Sequence, residues 1–252
     1  MKKTIHISLI IPCYNEEVNI QKGVLDKVGN FTKNDSRFSE VIIVDDGSGD
    51  SSKKTIKDIY LPRFPKMRLV ENKHQGKAIA VITGIRQSKA PYVIFTDMDL
   101  ATPLEETEKI IKRFEEGDTV VIGSRASKRE GAPFTRKIQS SGLAFIRSFL
   151  IGLPGIKDTQ CGCKGFETVA ALKIIDKMRI FTKNRHVSGA SVSAAYDLEF
   201  LFIARKLGYT IREVPVEWHH AETKRVSLWK DSLETLDDLI QMRLHELKGD
   251  YS

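Results

Sequence analysis

Short apolar runs alternate with amphipathic stretches through the first half of the chain. Ile5–Ile11 is apolar and runs into Pro12, which has no N–H for a central ladder and is expected to end the strand. Val41–Val44, Met67–Val70, Tyr92–Phe95 and Thr119–Ile122 repeat the pattern. Unbroken apolar runs of this length suit parallel strands buried on both faces. The segments between them, Glu16–Val28, Ser51–Tyr60, Lys77–Gln87 and Leu104–Phe114, have helical length. The alternation predicts an α/β protein with a doubly wound, mostly parallel sheet and helices on both faces.

The second half is less regular. Leu143–Leu153 is apolar with Arg147 inside it, and reads either as a core helix or as a helix lying on a membrane surface. Asp197–Leu207 reads as a helix ended by Gly208, and Thr210–Trp218 as an edge strand marked by Pro215. Ala126–Arg136, rich in small and basic residues, reads as a mobile loop. One globular domain over residues 1–227 is expected, followed by an amphipathic helix and tail over 228–252.

Composition narrows the class. With 252 residues, 41% hydrophobic and 29% charged, the chain has the make-up of a soluble globular protein. It has no run of about 18 uncharged apolar residues, and the expectation is a cytoplasmic protein without a signal peptide. Three cysteines make no disulfide framework, and Cys161-Gly162-Cys163 lacks a second ligand pair for structural zinc. The net charge of +7 is spread along the chain rather than interleaved with aromatics, which argues against nucleic acid.

Polar clusters follow the predicted strands: Pro12-Cys13-Tyr14-Asn15-Glu16-Glu17, Asp45-Asp46-Gly47-Ser48, Asp97-Met98-Asp99 and Gly123-Ser124-Arg125. In a doubly wound sheet those ends form one rim, where ligands bind. Neither a dinucleotide fingerprint nor a Walker-type loop is present, so bound phosphates would need a metal and cationic side chains. Asp97 and Asp99, alternating as the chain leaves a strand, can turn both carboxylates toward a hard cation, Mg²⁺ or Mn²⁺. The other reading of that tripeptide is a solvated turn. Asp45 and Asp46 can accept hydrogen bonds from a nucleobase or ribose, or simply shape a turn. Lys77 can bring a cation to a diphosphate or open a helix. Arg125, Arg136 and Lys164 can bind phosphate or lie on the surface. His219 and His220, adjacent on a strand, cannot both face a site.

Together these stretches resemble glycosyltransferase family 2, with the GT-A fold. Asp158 through Phe166 and Val214-Pro215-Val216-Glu217-Trp218 are similar to the dolichyl-phosphate β-glucosyltransferases and their polyprenyl-phosphate relatives, as is Arg225-Val226-Ser227. The resemblance implies that Pro12, Tyr14, Glu16 and Asp46 contact a nucleotide sugar, with Asp45 and Lys77 beside them. It implies that Asp97 and Asp99 hold the donor and its cation. Arg125, Arg136 and Ser140 would lie near the phosphates of donor and acceptor, with Lys164 and Arg225 as further candidates. Ala101 stands where mannosyl-phosphate synthases carry Gln, which favours a glucosyl donor.

The implied reaction is inverting transfer of a hexose, glucose from UDP-glucose in the first place, to a lipid phosphate at the cytosolic face of a membrane. Asp99 and Arg125 would act on the leaving group. If the acceptor is instead a saccharide hydroxyl in glycan synthesis, a base is needed, and Asp197 is the candidate, its other reading being a helix cap. A non-catalytic nucleotide-sugar-binding protein is the remaining alternative.

Overall fold

The computed structural model describes residues 4–125, 152–181, 195–219 and 228–251. Its elements run β1 (Ile7–Cys13), α1 (Glu17–Gln21), α2 (Val24–Lys33), β2 (Phe38–Asp45), α3 (Ser52–Thr55), a π-helical stretch (Ile56–Tyr60), α4 (Leu61–Arg63) and β3 (Met67–Glu71). They continue with α5 (Lys77–Gln87), β4 (Tyr92–Phe95), a 3₁₀ turn (Leu104–Glu106), α6 (Thr107–Glu115), β5 (Val120–Ser124) and β6 (Lys164–Glu167). α7 (Thr168–Lys177), α8 (Ala195–Lys206), β7 (Ile211–Pro215) and α9 (Leu228–Leu247) complete the described chain.

The sheet has seven strands in the order β3-β2-β1-β4-β6-β5-β7. All pairs are parallel except those of β6, which is antiparallel to β4 and β5. Alternate residues of each strand feed opposite faces. Ile10, Ile42, Val93 and Phe95 pack under α5, α7 and α8, whereas Leu9, Ile11, Ile43 and Ile94 pack under α2 and α6. This is the expected doubly wound sheet, and β7 lies at its edge.

β1 corrects one expectation, for it runs through Pro12 to Cys13. In a parallel ladder, successive residues turn their N–H and C=O toward alternate neighbours. Ile10 C=O accepts the Thr96 N–H at 3.0 Å, and Cys13 C=O accepts the Asp46 N–H at 2.8 Å. Even-numbered residues therefore face β4 and odd ones face β2. Pro12 faces β4, whose pairing with β1 has ended at Ile10↔Phe95, while pairing with β2 continues to Cys13↔Asp45. The missing N–H falls where β1 and β4 part, at the point where strand order reverses, and a crevice opens there.

The single helix expected over Glu16–Val28 is broken by Gly23, whose φ of 77° is left-handed. β6 and α7 were not anticipated; β6 is four residues with Lys164 and Gly165 inside it, and shows no apolar run. Leu143–Leu153 lies outside the described residues except for Gly152 and the buried Leu153, and the loop Ala126–Arg136 lies wholly outside them.

α9 joins the same core through Leu239 and Met242, and the chain end adds Tyr251. Glu199 of α8, fully buried, accepts the Arg179, Ile180 and Phe181 N–H groups at 2.7, 3.0 and 3.1 Å and the Tyr251 hydroxyl at 2.8 Å. One carboxylate thus ties the segment after α7 and the C-terminal end to α8.

Candidate active site

The loops after β1 and β2 are laced together. Asn15, at a left-handed φ of 53°, donates its N–H to Ser48 Oγ at 2.9 Å, and its Oδ1 accepts the Gly49 N–H at 2.8 Å. Glu16 N–H donates to Ser52 Oγ at 2.9 Å, and Glu17 N–H to Asp50 at 3.1 Å. Tyr14 stacks on His74, with ring centroids 4.0 Å apart and planes 15° from parallel. This gives the rim a flat aromatic platform.

The two aspartates at the end of β2, Asp45 and Asp46, do different work. The buried Asp46 carboxylate accepts the Gln75 N–H at 3.1 Å and the Gly76 N–H at 2.7 Å, with His74 Nδ1 at 2.9 Å. Burial pushes its pKa up, against the opposing pull of those donors. Asp46 therefore holds the turn that delivers Lys77. Asp45 is equally buried; its Oδ2 accepts the Ser48 N–H at 3.3 Å, but Oδ1 has no hydrogen-bond partner. A buried open acceptor is costly unless something donates to it.

Lys77, at the start of α5, forms an ion pair with Asp97 Oδ1 in the crevice between β1 and β4. That oxygen accepts no hydrogen bond of ordinary geometry, so the ammonium acts on it as a counter-charge. Burial alone would depress the Lys77 pKa; Asp97, Asp197 and Asp99 outweigh it and hold the pKa above its usual value. Asp99 accepts the Ala101 N–H at 3.0 Å on one oxygen. Its pKa is raised by burial and by Asp97, while the Ala101 N–H and Lys77 pull it down. The chain turns at Leu100, between Asp99 and Ala101, where φ is 48°.

Two hard carboxylates that repel each other fit a divalent cation such as Mg²⁺ or Mn²⁺. Among the described residues no group of three or more His, Cys, Asp or Glu side chains converges. Further ligands would therefore come from a substrate's phosphates, as small hard cations commonly allow.

Behind this pair runs the segment 158–164. A Cβ on Gly162 would overlap the Asp97 carboxylate. Lys164, 2% exposed, ion-pairs with Asp197 Oδ1 at 2.8 Å, donates to the Cys161 carbonyl at 2.5 Å and lies 5.3 Å from the centre of the Phe95 ring. Asp197 lies inside α8, in the first described turn, so it is not the helix cap that was its other reading, and its carboxylate comes near Lys77.

Asp158 grips Arg125 through two side-chain bonds, at 2.7 and 2.9 Å, and also accepts the Arg125 N–H at 3.0 Å. The guanidinium lies 5.7 Å from the Trp218 ring centre. Arg125 is thus held by protein, and the phosphate role expected for it would be exercised from within this clamp. Burial would raise the Asp158 pKa, but the guanidinium wins and takes it to about 2. A depressed carboxylate stabilises the fold fully above its unfolded pKa of about 4, and loses that contribution as pH falls toward 2. At neutral pH the contribution is about 2 kcal/mol. In Asp158→Asn the stability deficit, measured by urea unfolding, is expected to shrink between pH 7 and pH 2.5. A deficit constant over that range would contradict the pairing.

Pro12, Tyr14, Glu16, Asp45, Asp46, Lys77, Asp97, Asp99, Arg125, Lys164 and Asp197 are all described, on the carboxyl-end rim or just behind it. Arg136, Ser140, Arg225 and His220 lie outside the described residues. His219 is exposed, and its N–H donates to the Ala101 carbonyl at 2.8 Å. Cys13, Cys161 and Cys163 are buried free thiols whose pKa values burial pushes up. The roles of His74, Asp158 and Gly162 were not anticipated. The last two lie in the stretch that carried the family resemblance; nothing in the sequence announces the contact of His74 with Tyr14.

The model of the family described as Glycosyl transferase family 2 matches residues 8–174. A dolichyl-phosphate beta-glucosyltransferase of Dictyostelium discoideum is 32% identical over 97% of this chain and 76% of its own length. The Homo sapiens protein of that name is 31% identical over 98% of this chain and 77% of its own. Among solved structures, glucosyl-3-phosphoglycerate synthase from Mycobacterium tuberculosis, with Mn²⁺, UDP and glucosyl-3-phosphoglycerate, superposes with a TM-score of 0.65 at 19% identity, covering 94% of this chain and 80% of its own. The mannosyltransferase PcManGT from Pyrobaculum calidifontis, with GDP-Man and Mn²⁺, gives 0.62 at 18% identity, covering 96% and 65%. These neighbours show the GT-A fold.

Proposed function

The chain belongs to glycosyl transferase family 2, and from that premise we propose that it moves glucose from UDP-glucose to a polyprenyl or dolichyl phosphate, with inversion and with a divalent cation. The observation that carries this reading is the crevice at the strand-order switch, where Asp97, ion-paired with Lys77, and Asp99 bring two carboxylates together. The near-full-length similarity to dolichyl-phosphate beta-glucosyltransferases supports the donor sugar and the acceptor class.

In this reading the Tyr14–His74 platform takes the base, and Asp45 Oδ1 accepts a hydrogen bond from the nucleoside. Asp97 and Asp99 would hold Mg²⁺ or Mn²⁺, whose charge stabilises the departing diphosphate as a Lewis acid. Lys77 adds a fixed positive charge where negative charge develops. Lys164 is engaged with Asp197, and Arg125, held by Asp158, would meet a phosphate from within that clamp. Arg136, Ser140 and Arg225 remain proposed phosphate contacts.

A polyprenyl phosphate requires contact with a membrane surface, and that contact is part of the proposal. Among the described residues no helix is long and apolar enough to cross a membrane. The test is incubation with radiolabelled UDP-glucose, Mn²⁺ and polyprenyl phosphate in detergent. Labelled glucosyl lipid is expected; label on added saccharides with none in lipid would overturn the acceptor assignment.

A further inference from the structure

The segment that follows β7 is fixed at three points. Val216 N–H donates to the Ser124 carbonyl at 3.0 Å, Glu217 N–H to Glu106 Oε2 at 3.0 Å, and His219 N–H to the Ala101 carbonyl at 2.8 Å. Ala101 in turn donates its own N–H to Asp99. Val216–His219 is therefore stitched to the end of β5 on one side and to the loop of the carboxylate pair on the other.

Trp218 stands between the last two of these bonds. Its backbone is held, yet its side chain is not packed away: Val216 is buried, whereas Trp218 is 38% exposed. The indole ring centre lies 5.7 Å from the Arg125 guanidinium carbon. Asp158 holds that guanidinium through Nε and Nη2, a clamp that uses neither Nη1 hydrogen. A fixed cation with donors to spare thus stands against a fixed, partly wet aromatic surface. An indole left partly in water forgoes hydrophobic stabilisation that covering it would supply.

We infer that Arg125 and Trp218 form a composite acceptor subsite, in which the guanidinium takes the phosphate and the indole covers the first isoprene units of the chain that bears it. The inference rests on the proposed lipid-phosphate acceptor and names the surface that reads the lipid. The pairing matches the ligand's chemistry. A polyprenyl phosphate is an anion joined through one ester oxygen to a branched, unsaturated hydrocarbon. It needs a cation and an apolar face side by side, and a planar ring meets both the cation and the hydrocarbon. A saccharide acceptor carries no such anion for Arg125. The bond from His219 to Ala101 also sets the subsite beside Asp99, where the donor would be held.

The test reads the indole directly. The chain has two tryptophans, Trp218 and Trp229, so in the full-length Trp229→Phe protein the emission reports Trp218 alone. Farnesyl phosphate, added without vesicles or detergent, is expected to shift that emission to the blue and to saturate, and inorganic phosphate to leave it unchanged. A shift with inorganic phosphate as large as that with farnesyl phosphate would show that the indole senses only Arg125, and would overturn the isoprene contact. A shift given by phosphatidylcholine–phosphatidylglycerol vesicles and not by farnesyl phosphate would make Trp218 a membrane anchor and overturn the subsite. No shift with any probe would overturn it too. In steady-state assays Trp218→Ala is expected to raise KM for polyprenyl phosphate about tenfold, with KM for UDP-glucose unchanged, and Trp218→Phe to recover most of the loss. An equal rise in both KM values would refute a role at the acceptor. The titration leaves Trp218 in place, so it decides the matter even where Trp218→Ala fails to fold. A saturable shift with no glucosyl lipid from the wild type would sink the proposed reaction and leave the subsite standing; glucosyl lipid with no shift would sink the subsite alone.

Discussion

Asp99→Asn is expected to lose transfer activity by about a thousandfold or more, roughly 4 kcal/mol of transition-state stabilisation, with its melting temperature unchanged or slightly raised. The two expectations separate because of what Asp99 does in the fold. It accepts one hydrogen bond, from the Ala101 N–H, and an asparagine side-chain oxygen can accept the same bond. Its charge, raised in energy by burial and by Asp97, brings the fold a cost rather than a gain. Removing it relieves repulsion between neighbouring carboxylates and would deprive the proposed cation of a ligand. Steady-state rates with UDP-glucose and Mn²⁺, alongside thermal melts, check both parts. Near-normal turnover in a folded variant would refute the role given to Asp99.

Gly162→Ala is the second large effect, and it acts through Asp97. Gly162 is not in the left-handed region, so backbone strain is not the issue. The added methyl would occupy the space of the Asp97 carboxylate, which must swing away. A displacement of about 1 Å at a group that positions a reacting phosphate costs about a hundredfold in rate. The loss is expected in both kcat and the apparent affinity for Mn²⁺, with the fold retained because Asp97 can rotate toward the open crevice. An unchanged Mn²⁺ dependence would show that Asp97 does not need the position the structure gives it.

Much of this arrangement was legible before any coordinates. The Val41–Val44 run of β2 and the whole of β4 are continuously apolar because both faces of the sheet are covered there, and that pattern survives without long-range information, whereas β3 at the edge carries Arg68 and is only partly buried. The polar clusters at their ends follow from the parallel topology, which sends β1, β2, β4 and β5 to one rim. What could not be read depends on contacts distant in sequence. β6 has no apolar run, since it is wedged between β4 and β5 with its buried Lys164 turned to Asp197. Pro12 stays in a central strand because β4 has already ended on its side, which only the register reveals. Asp158 is polar loop material until Arg125 is beside it. Asp46 was expected at the nucleotide, but its described contacts are with the turn at His74–Gly76.

The central claim is that Asp97 and Asp99 would hold a divalent cation at the donor's phosphates in the crevice between β1 and β4. A crystal structure with UDP and Mn²⁺, using anomalous scattering to locate the metal, tests it most directly. The predicted result is a manganese peak about 2 Å from carboxylate oxygens of Asp97 or Asp99 and from oxygens of the diphosphate, with the uracil against Tyr14. Manganese and UDP bound elsewhere, with both carboxylates turned to solvent, would contradict it.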